Sequence, residues 1–416
     1  MKKLITIIGA LMVALTLVNF QCNENIVEPP PGNPPGYQED IPWPSLADSP
    51  WPMYRSNPQF TGRCNVTNTF SGNIFFENDT VKVASGITVA VDSSFYVAAL
   101  NGLFAFDKNG NLLWNYTTRL GVNLTPPAAP LIDADGTIYT SGLNDTLYAF
   151  NPDGTVKWKR NIDCTTTGIN IGLDGTLYFM GLENNTTTLF SVSKEGNIKW
   201  KITNSNFGSG KLSGLSFSPD GNTLYIPGYT GAAVYAVDIN TQTIKWQFGN
   251  DHLVSSDVPL VDSDGNIYLV SNDENDAGYL YSLNSDGVVR WKLFLHEIFS
   301  VIRIMTQCSM DKNGNLYFGL DTLYSVDYEG KLRWKYNFVN SKFITSDIII
   351  DGNNNIYFTL SDGGSDKKLI SINEGGNLLW EVPLPRMHPA VNYSLGISYN
   401  YLISPSYRSD SFYLIK

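Results

Sequence analysis

The chain has 416 residues, of which 43% are hydrophobic, 13% aromatic and only 16% charged, and it contains 36 glycines. This composition predicts a strand-rich, turn-rich globular protein with enough apolar residues for a large core. The formal net charge of −11 repels nucleic acid phosphates and anionic lipid headgroups, which argues against a nucleic-acid partner.

Residues 1–21 predict a signal peptide. Two lysines follow Met1, and the apolar run from Leu4 to Phe20 that comes next is short for a membrane-spanning helix. Cys22 stands directly after this run and before a polar, proline-rich stretch, an arrangement that resembles the start of a bacterial lipoprotein. We therefore predict lipidation of Cys22. Because the preceding residues, NFQ, are not the usual small ones, export without a lipid is the alternative.

Residues 22–50 predict an extended tether, since they hold many prolines and show no apolar periodicity. The remaining cysteines, Cys64, Cys164 and Cys308, are widely spaced and form no Cys-x-x-Cys pair. They give no signature of a disulfide framework or of a zinc or haem site, so the sequence predicts neither metal nor cofactor.

The stretch GNIFFEND at 72–79 matches GNIKWKIT at 196–203 in register, with Phe76 in the place of a tryptophan. It therefore predicts a lone outer strand, separated in sequence from the rest of its repeat. Its partner strands must lie elsewhere in the chain.

From residue 105 onward one pattern repeats seven times. Its tryptophans are separated by 42 to 46 residues, a period typical of propeller blades, and a small residue stands nine or ten positions before each. A turn such as NPDGT lies between the two, and a second turn of the DSDGNIY type precedes the small residue. Each unit therefore predicts four short antiparallel strands, A to D, with tight A–B and C–D turns. The tryptophans are Trp114, Trp158, Trp200, Trp246, Trp291, Trp334 and Trp380.

After Trp380, residues 393–416 can supply strands A, B and C of a further unit. Together with the lone strand at 72–79 they predict one composite blade. The sequence thus predicts an all-β, eight-bladed propeller over residues 51–416, closed by an N-terminal strand that completes the C-terminal blade. Seven blades with stray terminal strands is the alternative.

A tryptophan at one fixed place in each blade predicts a docking role. Its large ring can be buried between neighbouring sheets, and its N–H can bond a carbonyl there. Phe76 would take this place in the composite blade.

The units resemble the tryptophan-docking repeats of the quinoprotein-type, or PQQ-like, propeller superfamily, whose blades read roughly Leu-Tyr-Ala-Leu-Asp-x-x-Gly-x-x-x-Trp. The closest copy is LYAFNPDGTVKW at 147–158, and the leader WPMYRSNPQFTGR at 51–63 is similar to a stretch that opens many of these domains. The quinoprotein dehydrogenases bind quinone and calcium near the axis, many with paired cysteines that this sequence lacks. The resemblance favours the non-catalytic branch, which includes an eight-bladed, lipid-anchored protein of the outer-membrane β-barrel assembly machinery.

The D–A and B–C loops are predicted to share one face, since strands A and C run parallel. These loops are longer and more varied than the turns of the other face, and rigid scaffolds often bind through such loops. His252 also falls there, but the three histidines come from blades 4, 5 and 7 and predict no shared metal site. An alternative places the apolar run around residue 299 in strand A of blade 6. The predicted partner-binding residues are His296, Phe299, Arg303, Arg386 and His388.

The sequence thus predicts an exported, lipid-anchored, monomeric scaffold of the bacterial outer membrane, periplasm or cell surface that binds a protein or glycan partner. The alternative is a quinoprotein dehydrogenase or a polysaccharide-active enzyme on the same ring, so enzymatic activity stays open. Such an enzyme needs polar groups in the axial channel, where Asp257 and Asp347 are the notable acids. The Asp-x-Asp-Gly turns resemble small calcium loops, but a strand follows them, so we predict hairpin turns.

Overall fold

The computed structural model describes residues 33–99, 101–117, 128–141, 146–162, 168–208, 214–228, 232–249, 258–272, 277–296, 307–338, 342–363, 367–384, 394–406 and 411–416. Every regular element in these ranges is a β-strand. None of the described segments forms a helix with the length and hydrophobicity that a membrane span requires.

The strands form eight antiparallel sheets, which are the blades of a propeller. The first strand of the chain is β1 (Ile74–Asn78), which belongs to the last blade. Blades 1 to 4 follow: β2 (Val83–Val89), β3 (Phe95–Ala99), β4 (Gly102–Phe106) and β5 (Leu112–Thr117); β6 (Leu131–Ile132), β7 (Ile138–Thr140), β8 (Thr146–Phe150) and β9 (Val156–Asn161); β10 (Asn170–Ile171), β11 (Leu177–Glu183), β12 (Thr186–Val192) and β13 (Ile198–Thr203); β14 (Ser216–Phe217), β15 (Thr223–Pro227), β16 (Val234–Asp238) and β17 (Thr243–Phe248).

Blades 5 to 8 complete the ring, and blade 7 carries an additional short strand, β26, that also pairs with β28. Their strands are β18 (Leu260–Val261), β19 (Ile267–Asn272), β20 (Gly278–Leu283) and β21 (Val289–His296); β22 (Ser309–Met310), β23 (Leu316–Gly319), β24 (Thr322–Val326) and β25 (Leu332–Asn337); β26 (Phe343–Ile344), β27 (Ile349–Ile350), β28 (Ile356–Ser361), β29 (Lys367–Ile372) and β30 (Leu378–Pro383); β31 (Gly396–Ile397), β32 (Leu402–Ser406) and β33 (Ser411–Ile415).

Blade 8 is composite, with the strand order β1-β33-β32-β31. Strand β1 pairs antiparallel with the last strand of the chain, so that Phe76 lies opposite Leu414 and Asn78 opposite Phe412. The prediction of eight blades closed by an N-terminal strand is confirmed, and the seven-bladed alternative is wrong. The two ends of the ring are held together within one sheet.

The burial of each strand explains the sequence pattern. In blade 2, every residue of β8 is buried, whereas in β9 only Trp158 is half-buried and the other residues are exposed. Strands B and C lie inside the blade and read as continuous apolar runs, while strand D forms the outer wall and is exposed except at the docking tryptophan and a few other positions. The core consequently lies between and within the blades around the whole ring.

Residues 36–66 form a leader on the side of the A–B and C–D turns, which we name the turn face; the opposite side, with the D–A and B–C connections, is the loop face. The first pass, residues 36–50, follows the turns around the ring in the order of descending blade number, from blade 6 to blade 1. Gln38 bonds the carbonyl of Lys312 in blade 6 at 2.8 Å, and Ser45 accepts from Ala134 in blade 2. Residues 38–50, predicted as part of the tether, therefore lie on the ring, and only 33–35 of the described residues precede the leader.

The second pass, residues 51–66, runs forwards inside the ring along the innermost strands. Its carbonyls accept backbone N–H groups from the last residue of strand A in blades 1, 2 and 4 to 7, at 2.8 to 3.0 Å. Strand A is only two residues long in most blades, and the leader satisfies the polar groups that it leaves unpaired at the axis. The pairs are Val89 to Trp51, Ile132 to Pro52, Phe217 to Pro58, Val261 to Gln59, Met310 to Thr61 and Ile350 to Gly62.

Candidate functional site

Most of the residues predicted to bind a partner lie outside the described residues: Phe299, Arg303, Arg386 and His388. His296 is the last residue of β21. Strand D runs from the turn face towards the loop face, so this position is at the loop-face edge of blade 5. Cys22, Cys164, His252 and Asp257 also lie outside the described residues.

The junctions between blades are built from a tryptophan and the next blade's C–D turn. The Trp114 indole nitrogen donates to the carbonyl oxygen of Pro152 at 2.8 Å, and its ring lies against Gly154, where an added Cβ would come within 2.6 Å. The same two contacts recur around the ring. The other indole hydrogen bonds are Trp158 to Lys194, Trp246 to Ser285, Trp291 to Tyr328, Trp334 to Glu374 and Trp380 to Phe70.

Two junctions depart from this pattern. Between blades 8 and 1 the ring is Phe76, which lies against Gly110 but has no N–H to donate. Between blades 3 and 4 the glycine is replaced by Gln242, which adopts the left-handed φ of 59°. For Trp200 the described residues show no indole hydrogen bond. The C–D turn of blade 4 that it faces is one residue longer than the others.

The axial channel is occupied from the turn face by Arg55, whose side chain is fully buried. Its guanidinium donates to the carbonyl oxygens of Ile348, at 3.1 Å, and of Cys308, and to the hydroxyl of Ser309 at 2.9 Å. One arginine thus ties the leader to blades 6 and 7. The aromatic rings of Tyr54 and Phe60 pack edge to face beside it, with their centroids 5.7 Å apart.

Asp347, one of the two channel acids, is 4% exposed and faces the leader. Burial raises its pKa, while the charge of Arg55 and a hydrogen bond from Tyr54 act in the opposite direction. A channel carboxylate without partners would have favoured an enzyme or a cation site. Both Arg55 and Tyr54 belong to the leader, which favours a structural role for Asp347.

The buried aspartates of the A–B turns are used within their own hairpins. One oxygen of Asp311 accepts the backbone N–H groups of Asn313 and Asn315, and the other accepts the Asn315 amide and the Tyr317 hydroxyl, all at 2.8 to 2.9 Å. Burial raises the pKa of Asp311 in spite of these donors. Asp133, Asp262 and Asp351 have similar partners. The described residues hold no group of three or more metal-ligating side chains, and the geometry fits the hairpin interpretation.

Cys64 and Cys308 are buried and take part in no disulfide. Burial raises the pKa of the Cys64 thiol to about 12. A thiol in this state is not a nucleophile, because the thiolate is the reactive form. Cys64 in the leader and Cys308 in blade 6 are both buried and pack as small apolar residues.

The blades and their repeated junctions define an eight-bladed propeller of the PQQ-like class. A family model described as "Outer membrane protein assembly factor BamB" matches residues 60–174 and 185–358, more than half of the chain. The chain belongs to this family.

Several solved propellers have a similar fold. BamB from Moraxella catarrhalis has a TM-score of 0.53 and 14% identity, and the match covers 80% of this chain and 97% of that one. The C-terminal WD40 domain of Sif2 has a TM-score of 0.62 and 13% identity, over 84% and 99% of the two chains. Sqt1 from Saccharomyces cerevisiae has a TM-score of 0.60 and 10% identity, also over 84% and 99%. At these identities the similarity shows the fold alone. No curated protein matches the chain significantly.

The leader is the part of the site that sequence reasoning missed. In the sequence, the WPMYRSNPQFTGR stretch carries only a family resemblance, although it places Arg55 among aromatic and proline residues. An arginine in such surroundings indicates a buried, multiply bonded guanidinium. The segment before residue 50 carried no periodic signal, because its bonds to the ring come from irregular backbone.

Proposed function

We propose that this protein is an exported, lipid-anchored, non-catalytic scaffold that binds a protein of the cell envelope through its loop face. The observation that carries the proposal is the leader. Its Arg55 fills the axis and bonds to blades 6 and 7, which supports a structural use of the channel. The same segment lies along the turn face, which favours the loop face for a partner.

The family supports a protein partner, since its description concerns the assembly of outer membrane proteins. In the proposed arrangement Cys22 carries the lipid and holds the ring at the outer membrane, on the periplasmic side. The D–A loops bearing Phe299, Arg303 and Arg386 supply the contact. Arginine and phenylalanine offer a charged fork and a large apolar surface, which are frequent anchors of protein interfaces.

The test is copurification from native membranes after mild crosslinking. We expect the wild-type chain to retain a specific envelope protein. The double variant Arg303→Glu, Arg386→Glu should recover at least ten times less of this protein than its control variant does. The matched control is Lys108→Glu with Lys331→Glu, which makes the same change in charge at two exposed positions of the turn face.

Equal loss of the partner in both double variants would mean that net charge, not the loop face, governs binding. A polysaccharide in place of a protein, or quinone-dependent dye reduction by the purified chain, would overturn the proposal in favour of the alternatives. Cys22→Ala separates anchoring from binding, because it should release the chain from the membrane without changing the partner.

A further inference from the structure

The outer wall of the ring is chemically uneven at one register position. The residue directly before the docking tryptophan is basic in blades 2 to 6 and apolar in the three consecutive blades 7, 8 and 1. The basic residues are Lys157, Lys199, Lys245, Arg290 and Arg333, and the apolar ones are Leu379, Phe75 and Leu113.

The basic side chains lie on the flank of their own blades. Lys157 Nζ donates to the Thr137 hydroxyl at 3.0 Å, and Arg333 donates to the Tyr317 hydroxyl at 3.1 Å. A charge at this position keeps the outer edge strand polar, which is a common protection of exposed sheet edges. In blades 7, 8 and 1 the edge strand lacks this charge.

The residue one position earlier is also apolar, so each of these three blades presents two adjacent apolar side chains at the start of strand D. Their exposed fractions run from 36% to 59%, which is high for large apolar side chains. We name this set the apolar rim. Its members are Ile74, Phe75, Leu112, Leu113, Leu378 and Leu379.

The three blades of the apolar rim are direct neighbours. The Trp380 ring of blade 7 lies against Gly72, two residues before β1, and the Phe76 ring of β1 lies against Gly110 in the turn that leads to β5. Since strand D starts at the turn face, the three apolar pairs follow one another in consecutive blades on the turn-face side of the outer wall, as a band of separate pairs. Exposed apolar side chains grouped on one side of a protein are typical of an interaction surface.

The place where the chain joins the ring indicates what covers this band. Gly36 packs against Tyr328 and Gly314, both in turns of blade 6, the neighbour of blade 7 on the same face. Residues 22–32 span at most about 3.5 Å each, or roughly 40 Å in all. With a lipid on Cys22, the bilayer is therefore within reach of the turn face next to the apolar rim.

We propose that the apolar rim is a membrane-contacting surface that inserts its leucine and phenylalanine side chains into the interface of the bilayer to which the chain is anchored. This inference rests on the lipid anchor of the proposed function. The lipid is zwitterionic, because the net charge of −11 opposes anionic headgroups. Lys416 lies at the rim, with Nζ 4.5 Å from the centre of the Phe75 ring. Shallow insertion of this kind depends on the buried apolar area and tilts the turn face towards the membrane.

The test uses the full anchored chain in vesicles of zwitterionic phosphatidylethanolamine and phosphatidylcholine that contain a phospholipid with a photoreactive acyl chain. We expect lipid adducts on the peptides that contain residues 74–75, 112–113 and 378–379, and few on the equivalent strands of blades 3 and 4. The double variant Leu113→Lys, Leu379→Lys gives these two blades the residue found in blades 2 to 4. It should lower the adduct yield at the rim at least fivefold.

The matched control is Ile198→Lys with Ile244→Lys, which adds the same charge at exposed apolar positions of blades 3 and 4. It should leave the adducts at the rim unchanged. Both doubles alter half-exposed side chains, so their melting temperatures should stay near that of the wild type. A single variant, Leu113→Lys, serves as a milder form if the double is unstable.

The proposal is overturned if adducts are spread evenly over all blades or if both doubles reduce them equally. Membrane attachment is measured on the same vesicles, and partner copurification is measured on the same variants in native membranes. A chain that stays anchored and keeps its partner while losing rim adducts supports the membrane contact. A chain released into solution points instead to a failure of the anchor in the proposed function.

Discussion

The regular junctions and the closing junction of the ring use the same contact in different forms. Between blades 1 and 2, Trp114 lies against Gly154 and also donates to the carbonyl oxygen of Pro152. Between blades 8 and 1, Phe76 lies against Gly110 and has no hydrogen to donate. The contact between ring and glycine is thus retained where the hydrogen bond is given up. The closing blade gains its connection from strand pairing between β1 and β33 instead.

The junction between blades 3 and 4 departs further from the regular form. It keeps the tryptophan, Trp200, but replaces the glycine with Gln242 and shows no indole hydrogen bond among the described residues. The indole hydrogen bond is thus absent both where the contact between ring and glycine is kept and where the glycine is replaced. The contributions of the contact and of the hydrogen bond to the free energy of unfolding can be measured separately in variants.

The largest effect is expected from a methyl group placed under a docking tryptophan. Gly154→Ala puts a Cβ within 2.6 Å of the Trp114 ring, at a backbone φ of +87°. The left-handed backbone costs an alanine about 1–2 kcal/mol and the overlap costs about as much again, so we expect a loss of about 3 kcal/mol. The measurement is chemical denaturation followed by intrinsic fluorescence.

The control for this variant is Gly175→Ala, which has a similar φ of +82° but only the flexible Lys194 side chain at 3.7 Å. It carries the backbone cost alone, about 1–2 kcal/mol. If both variants lose the same stability, the contact between ring and glycine contributes nothing, and the comparison of junctions fails.

The regular junctions could be predicted from sequence because they repeat. The position of Phe76 and the composite blade followed from register alone, since one strand of the repeat was missing at one end and three were present at the other. The leader could not be predicted in this way. Its bonds to the ring join residues at widely different separations, up to 293 positions for Arg55 and Ile348, with no periodic signal. The partner-binding residues on the loop face stay predictions.

A smaller effect is expected from removing one indole hydrogen bond. Trp114→Phe converts a regular junction into the closing type, and it loses the bond to Pro152 together with part of the ring area. Trp200→Phe loses ring area only. We expect the first variant to be less stable than the second by about 1 kcal/mol, the usual net contribution of such a bond. Equal losses in parallel denaturation curves would contradict a role for the indole hydrogen bond.

The smallest effect is expected from the reverse change, Phe76→Trp. In every regular junction with an indole bond the acceptor is two residues before the turn glycine, which at the closing junction is the carbonyl of Lys108. Phe76 is only partly buried, so the larger ring has room towards solvent. We expect a gain of about 0.5–1 kcal/mol, seen as a higher melting temperature, because the new bond exceeds the cost of repacking. Phe76→Leu, which removes the aromatic ring without adding a donor, should lower the melting temperature. If Phe76→Trp lowers it too, the closing junction has a geometry of its own and is not a regular junction that lacks one donor.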